Sequence, residues 1–152
     1  MTASPPSPED YWQRRPPASA RVLMAFTAAA FAVVSVVHFG VDVPIGFATI
    51  SDSFPGAAPP EAVIAAVVAI GAVAAFAGRT RSRGIALATT AFALLGTAYG
   101  LRITVNSPRT GDVIYHLTVL ATLLVTFVLL LMPGRSRARP VGDARNEVRS
   151  ST

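Results

Sequence analysis

Residues Gly111 to Met132 read GDVIYHLTVLATLLVTFVLLLM. The stretch opens on three polar side chains, Asp112, Tyr115 and His116, and then turns almost wholly apolar up to Pro133. About 20 apolar residues rising ~1.5 Å each cross a hydrocarbon core of ~30 Å, so this segment predicts a transmembrane helix with its ionisable groups at one end.

Working outward, three more apolar runs are spaced to stand beside it. Val22 to Phe39 follows Arg21 and is longer than the apolar core of a secretory signal, about 7–15 residues, so it reads as a retained helix. Ala62 to Ala77 is short and rich in Ala and Val. It reaches a spanning length with Pro60, Glu61 and Gly78, and prolines followed by an acid suit the first turn of a helix. Ile85 to Leu101 ends at Arg102. The expected fold is an all-α integral membrane bundle of four transmembrane helices, residues 21–133, with spans of about 22–41, 60–78, 85–102 and 112–132.

The segments between and beyond are polar. Residues 1–20 carry Pro5, Pro6, Pro8, Pro16 and Pro17 and read as a disordered tail. Tyr11 and Trp12 in it are candidates for the membrane interface. Residues 134–152 form a second disordered tail, rich in Arg. Between the first two spans, Gly40 to Glu61 is long for a loop without structure, and its apolar half, Val43 to Ile50, is expected to lie in the interface or fold back over the bundle end. Asn106-Ser107-Pro108 signals a turn before the fourth span.

Charge gives an orientation. All 13 basic residues are Arg, which with the abundance of Ala suggests a GC-rich bacterial genome. With four spans, 11 of them fall on one side: Arg14, Arg15 and Arg21, then Arg79, Arg81 and Arg83, then five in the C-terminal tail. The positive-inside rule places that side, with both termini, in the cytoplasm of a cell-membrane protein. Arg so placed can also meet anionic lipid headgroups, and the net charge of +5 needs no nucleic acid to explain it. Cysteine is absent, which excludes disulfides and thiolate metal sites formed by this chain.

Helices in lipid associate through close packing and hydrogen bonds. Gly96 and Gly100 form a GxxxG pair. Thr118, Thr122 and Thr126 make a stripe able to bond its own i−4 carbonyls or a neighbouring helix. Packing within one bundle is the expected use of these residues; a homodimer face, or one for another membrane protein, is the alternative.

The polar groups near span termini gather at the outward end: His38 and Asp42, Tyr99 and Arg102, then Asp112, Tyr115 and His116. Each set is spaced three or four apart, hence on one helix face. Ionisable groups there are costly and usually face the bundle interior or a cavity. Four uses are open: His38, His116 and Asp112 or Asp42 around a metal; the two histidines on a haem; Arg102 and the histidines as a pocket for a small polar or anionic ligand, or a proton relay; or an Arg102–Asp112 pair with rings at the interface. His38 and His116 are expected within ~10 Å of each other if the first, third and fourth helices are neighbours, with Arg102 in reach of Asp112 or Asp42. No metal or cofactor motif is present and none is predicted. Nucleophile elbow, phosphate loop and HExxH are also missing. A non-catalytic structural or accessory membrane component is therefore the first functional reading, and a transporter-like protein binding a ligand, ion or proton the second.

The segment from Tyr99-Gly100-Leu101 through Asn106 and Asp112 to His116-Leu117 resembles small four-helix membrane proteins of actinobacteria. In those one helix ends on a Tyr/Gly/Leu pattern and the next begins after an Asn and an Asp with a His-Leu pair. The resemblance covers about a third of the chain and implies a fold and a compartment, not an activity.

Overall fold

The computed structural model describes residues 15–106 and 110–132. Among them stand four long helices: α1 Ala18–His38, α2 Ala58–Ala77, α3 Ser82–Thr104 and α4 Thr110–Leu131. All four are long and apolar enough to cross a membrane. The molecule is an all-α bundle of membrane-spanning helices. The tails expected at 1–20 and 134–152 lie outside the described residues up to position 14 and from 133 on, as do Tyr11, Trp12 and the Ser107–Arg109 part of the turn.

Helix α1 packs on α2, α2 on α3, α3 on α4, and α4 closes on α1. This is an up-down-up-down ring, so α4 neighbours both α1 and α3, while α1 and α3 are diagonal. Arg83 at the start of α3 reaches the carbonyls of Leu130 and Met132 at the end of α4. Arg15 lies beside Gly78 at the end of α2. That end is the Arg end; His38, Glu61, Gly100 and Asp112 mark the other.

The first helix begins and ends earlier than the expected 22–41. Pro17 holds an extended conformation before it, and residues 18–20 are helical, not tail. Its stop is a Schellman motif: Gly40 has φ +90°, its N–H bonds Val37 O, and the Val41 N–H bonds Val36 O. A side chain with a Cβ avoids that φ, which is why the glycine ends the helix there. Gly78, at φ +63°, ends α2 in the same region of backbone space.

The long segment between the first two spans contains a β-hairpin in its apolar half. Strands β1 Val43–Ile45 and β2 Ala48–Ile50 pair antiparallel, Val43 opposite Ile50 and Ile45 opposite Ala48. Gly46 has φ +62° and Phe47 does not, the pattern of a two-residue turn with Gly first. Beyond the hairpin the chain returns to the end of α1: the Phe54 N–H bonds His38 O, and the Phe54 ring meets the His38 ring edge-on at 5.8 Å.

The interior holds two apolar layers. Ala20, Met24, Ala72, Ala75, Ala86, Leu87 and Leu130 fill the Arg end. Phe31, Ile64, Ala65, Val68, Ala93, Val119 and Leu123 fill the middle and support the polar end. Small residues set the spacing. A Cβ on Gly71 would collide with Thr89 and Met24, and one on Gly96 would stand 2.7 Å from Ile64. Val22, Phe26, Ile70, Val73, Leu95 and Leu124 face outward, which is where lipid lies. Buried Thr27, Thr90, Thr97 and Thr126 each donate to the carbonyl four residues back, so their hydroxyls are satisfied within their own helix. Thr118 and Thr122 do the same from the outer side of α4.

Candidate functional site

At the end opposite the Arg cluster, three helices bring ionisable side chains into the interior. His38 is the last residue of α1, Glu61 lies in the first turn of α2, and Asp112 and His116 lie in the first two turns of α4. All four are buried, at 2%, 4%, 6% and 5% exposure. The antiparallel ring explains this. Where α1 ends, α2 and α4 begin, so their terminal turns stand at one depth.

His38 Nδ1 lies 2.6 Å from Glu61 Oε2. When Glu61 is ionised its carboxylate only accepts, and Nδ1 then carries the proton and donates it. That leaves Nε2 on the opposite side of the ring, 3.6 Å from Asp112 Oδ1. This gap exceeds the 2.7–3.2 Å of a usual hydrogen bond. His116 is oriented from its own helix: its Nδ1 lies 2.7 Å from Asp112 O, and a carbonyl can only accept. Its Nε2 points at α3, where Gly100 has no Cβ to block it. Tyr115 packs edge-on against Phe31 at 6.0 Å and against His116 at 5.2 Å. Glu61 Oε1 and the Tyr115 hydroxyl are buried and have no hydrogen-bond partner among the described residues.

Two cavities flank these groups. One, of about 290 Å³, is lined by Glu61 and His116 with Phe31, Ile64, Gly96 and Gly100 among others. Its walls are largely apolar, and Glu61, the His116 ring and Tyr99 supply its ionisable groups. The second, of about 150 Å³, is lined by His38, Asp52, Asp112 and Tyr115 together with Val33, Val34, Val37 and Ile50. The fold thus places a polar interior between two spaces.

Of the residues singled out from sequence, His38, Asp112, Tyr115 and His116 come together, with His116 bonded to the Asp112 carbonyl and His38 Nε2 3.6 Å from the Asp112 carboxylate. Asp42 does not join them. It is exposed, because α1 stops at His38 and the three residues after it do not continue the helix face. Arg102 is also exposed and forms no ion pair with Asp112 or Asp42 among the described residues, contrary to expectation. Two residues beyond Gly100, it is turned ~200° away from the face that meets α4. Tyr99 is 67% exposed and reaches the rim of the larger cavity. Arg83, counted among the topology-setting charges, is wholly buried and ties α3 to the carbonyl end of α4.

Two members escaped the sequence. Glu61 looked like a helix-start acid paired with the dipole, and Asp52 like a loop residue. For Glu61 a signal existed: on adjacent antiparallel spans, the end of one and the start of the next share a depth. Asp52 is placed by the fold-back after the hairpin, which no local pattern announces. No protein-family model matches the chain, and no curated protein or solved structure matches it.

Proposed function

We propose that this protein is a small, non-catalytic multi-pass component of a bacterial cell membrane that binds a small ligand, cation or proton at His38, Glu61, Asp112 and His116. One observation carries the reading: four ionisable side chains from three helices are buried together at one end of the bundle. Such groups are expensive in a membrane, and a packed bundle does not need them. The adjoining cavities supply room for an occupant. The resemblance to small actinobacterial membrane proteins agrees with the compartment.

The same reading puts both termini in the cytoplasm and the cluster at the outer surface, on the strength of the Arg distribution. A groove of about 740 Å³ joins Arg79 and Arg81 to apolar Ile70, Val73 and Ile85. Its chemistry favours an anionic phospholipid, headgroup on the guanidinium groups and chains along α2.

Thermal unfolding of the full chain in lipid nanodiscs tests the binding role. Cations and small hydrogen-bonding organic molecules are screened for a rise in Tm. A saturable rise that Asp112→Asn or His116→Gln removes supports the proposal. No rise with any compound, together with stoichiometric recovery of another membrane protein, would overturn it in favour of an accessory structural role.

A further inference from the structure

We infer that His38, Asp52 and Asp112 form a site for a divalent first-row transition-metal ion, with Glu61 as the positioning residue for the imidazole. The inference rests on the proposed binding role and names the occupant of one of its two cavities.

The donor atoms of His38, Asp52 and Asp112 all lie within 4.8 Å of one another. They come from the end of α1, the loop after β2 and the first turn of α4, and they line one cavity of about 150 Å³. A cluster of donors is common without a metal. What distinguishes this one is the histidine. A ligating imidazole almost always donates its other N–H to a carboxylate or carbonyl, which fixes the tautomer and raises ligand basicity. His38 does this through Nδ1 to Glu61, at 2.6 Å. The outcome is a bare Nε2 on a side chain 3% exposed, aimed at Asp112 across 3.6 Å.

That separation suits a shared ion better than a shared proton. Two donors bound to one tetrahedral ion at ~2.0–2.1 Å stand about 3.3 Å apart. Small side-chain movements bring the three donors to that spacing, and the cavity leaves the fourth position open. Val33, Val34, Val37 and Ile50 wall the same cavity. One imidazole and two oxygens, with no thiolate, suit zinc, manganese or ferrous iron more than copper(I). The Phe54 ring meets the His38 ring edge-on.

The experiment uses the full chain in nanodiscs, stripped with a chelator and titrated with Co²⁺, then displaced with Zn²⁺. The expected result is one equivalent of cobalt bound, with the visible absorption of a low-coordinate site that zinc abolishes. His38→Gln, Asp52→Asn and Asp112→Asn should each remove that signal, while Asp42→Asn, at an exposed position, leaves it. Glu61→Gln should keep one equivalent but weaken it by ~10–100-fold, as loss of an outer-shell carboxylate does. A purely structural Glu61 would lower the Tm without changing the affinity. Thermal melts without metal show which variants fold, and Asp52→Asn, on a loop, guards against the helix variants failing. Absence of stoichiometric cobalt, or binding unchanged by Asp52→Asn and Asp112→Asn, would overturn the metal. The broader binding role would then stand or fall on compounds that act through His116 and the other cavity.

Discussion

A methyl group on residue 100 would place its carbon 2.5 Å from His116 Nε2. Gly100→Ala should therefore push the imidazole out of its place or part α3 from α4. Overpacking of this kind costs about 1–3 kcal/mol, so a lower Tm is expected in nanodiscs, with the His116 ring signals shifted. Gly111→Ala is the control, since nothing lies near a Cβ there. The two histidines also make a spectroscopic prediction. Both rings are held by an Nδ1–H donor, one to Glu61 and one to Asp112 O. Long-range ¹⁵N–¹H spectra of the imidazoles, only two in the chain, should show both as the Nδ1–H tautomer when neutral. An Nε2–H tautomer for His38 would break the orientation argued from Glu61. His38 and His116 were legible as candidates because both sit at span ends. Glu61 as the partner of His38 was not, because its neighbour depends on which helix packs against which.

Between elements, the most consequential contact after the polar cluster is Arg83. Its guanidinium donates to Leu130 O and Met132 O, satisfying carbonyls that the end of α4 leaves open and complementing the negative end of its dipole. Hydrogen bonds from a charged donor are worth about 1.5–3 kcal/mol each. Arg83→Gln should lower the Tm and raise amide exchange in the last turn of α4, while Arg81→Gln on the exposed joint does neither. The helix ends make a second case. Gly40 at φ +90° closes α1, and Gly40→Ala should cost ~1 kcal/mol through backbone strain. The loss should appear as a lower melting temperature.

At the scale of the whole molecule, the ring order of helices is what gathers the cluster at one end. Reporter fusions placed after Ser53 should read as external, and fusions in the Arg79–Arg83 joint or the C-terminal tail as cytoplasmic. An external C-terminus would reverse the membrane orientation and put the His–Glu–Asp cluster on the inside. The bundle itself, with four spans between polar joints, would be unchanged.

The sequence by itself determined the class, the number of helices and most of their extent, because these depend on local quantities: length of apolar run, proline, glycine and charge. It also determined that the ionisable groups of three spans lie at one end, since antiparallel spans alternate their ends. Tertiary structure alone decided which of them meet. Whether Arg102 or Glu61 becomes a partner is a matter of helix rotation and of which helices are neighbours. Rotation turned Arg102 outward, and the ring order put Glu61 against His38. The hairpin at Val43–Ile50 and the fold-back that carries Asp52 were decided at the same level. A short strand pair has too few residues for periodicity to reveal it, and a loop's path depends on the surface it covers.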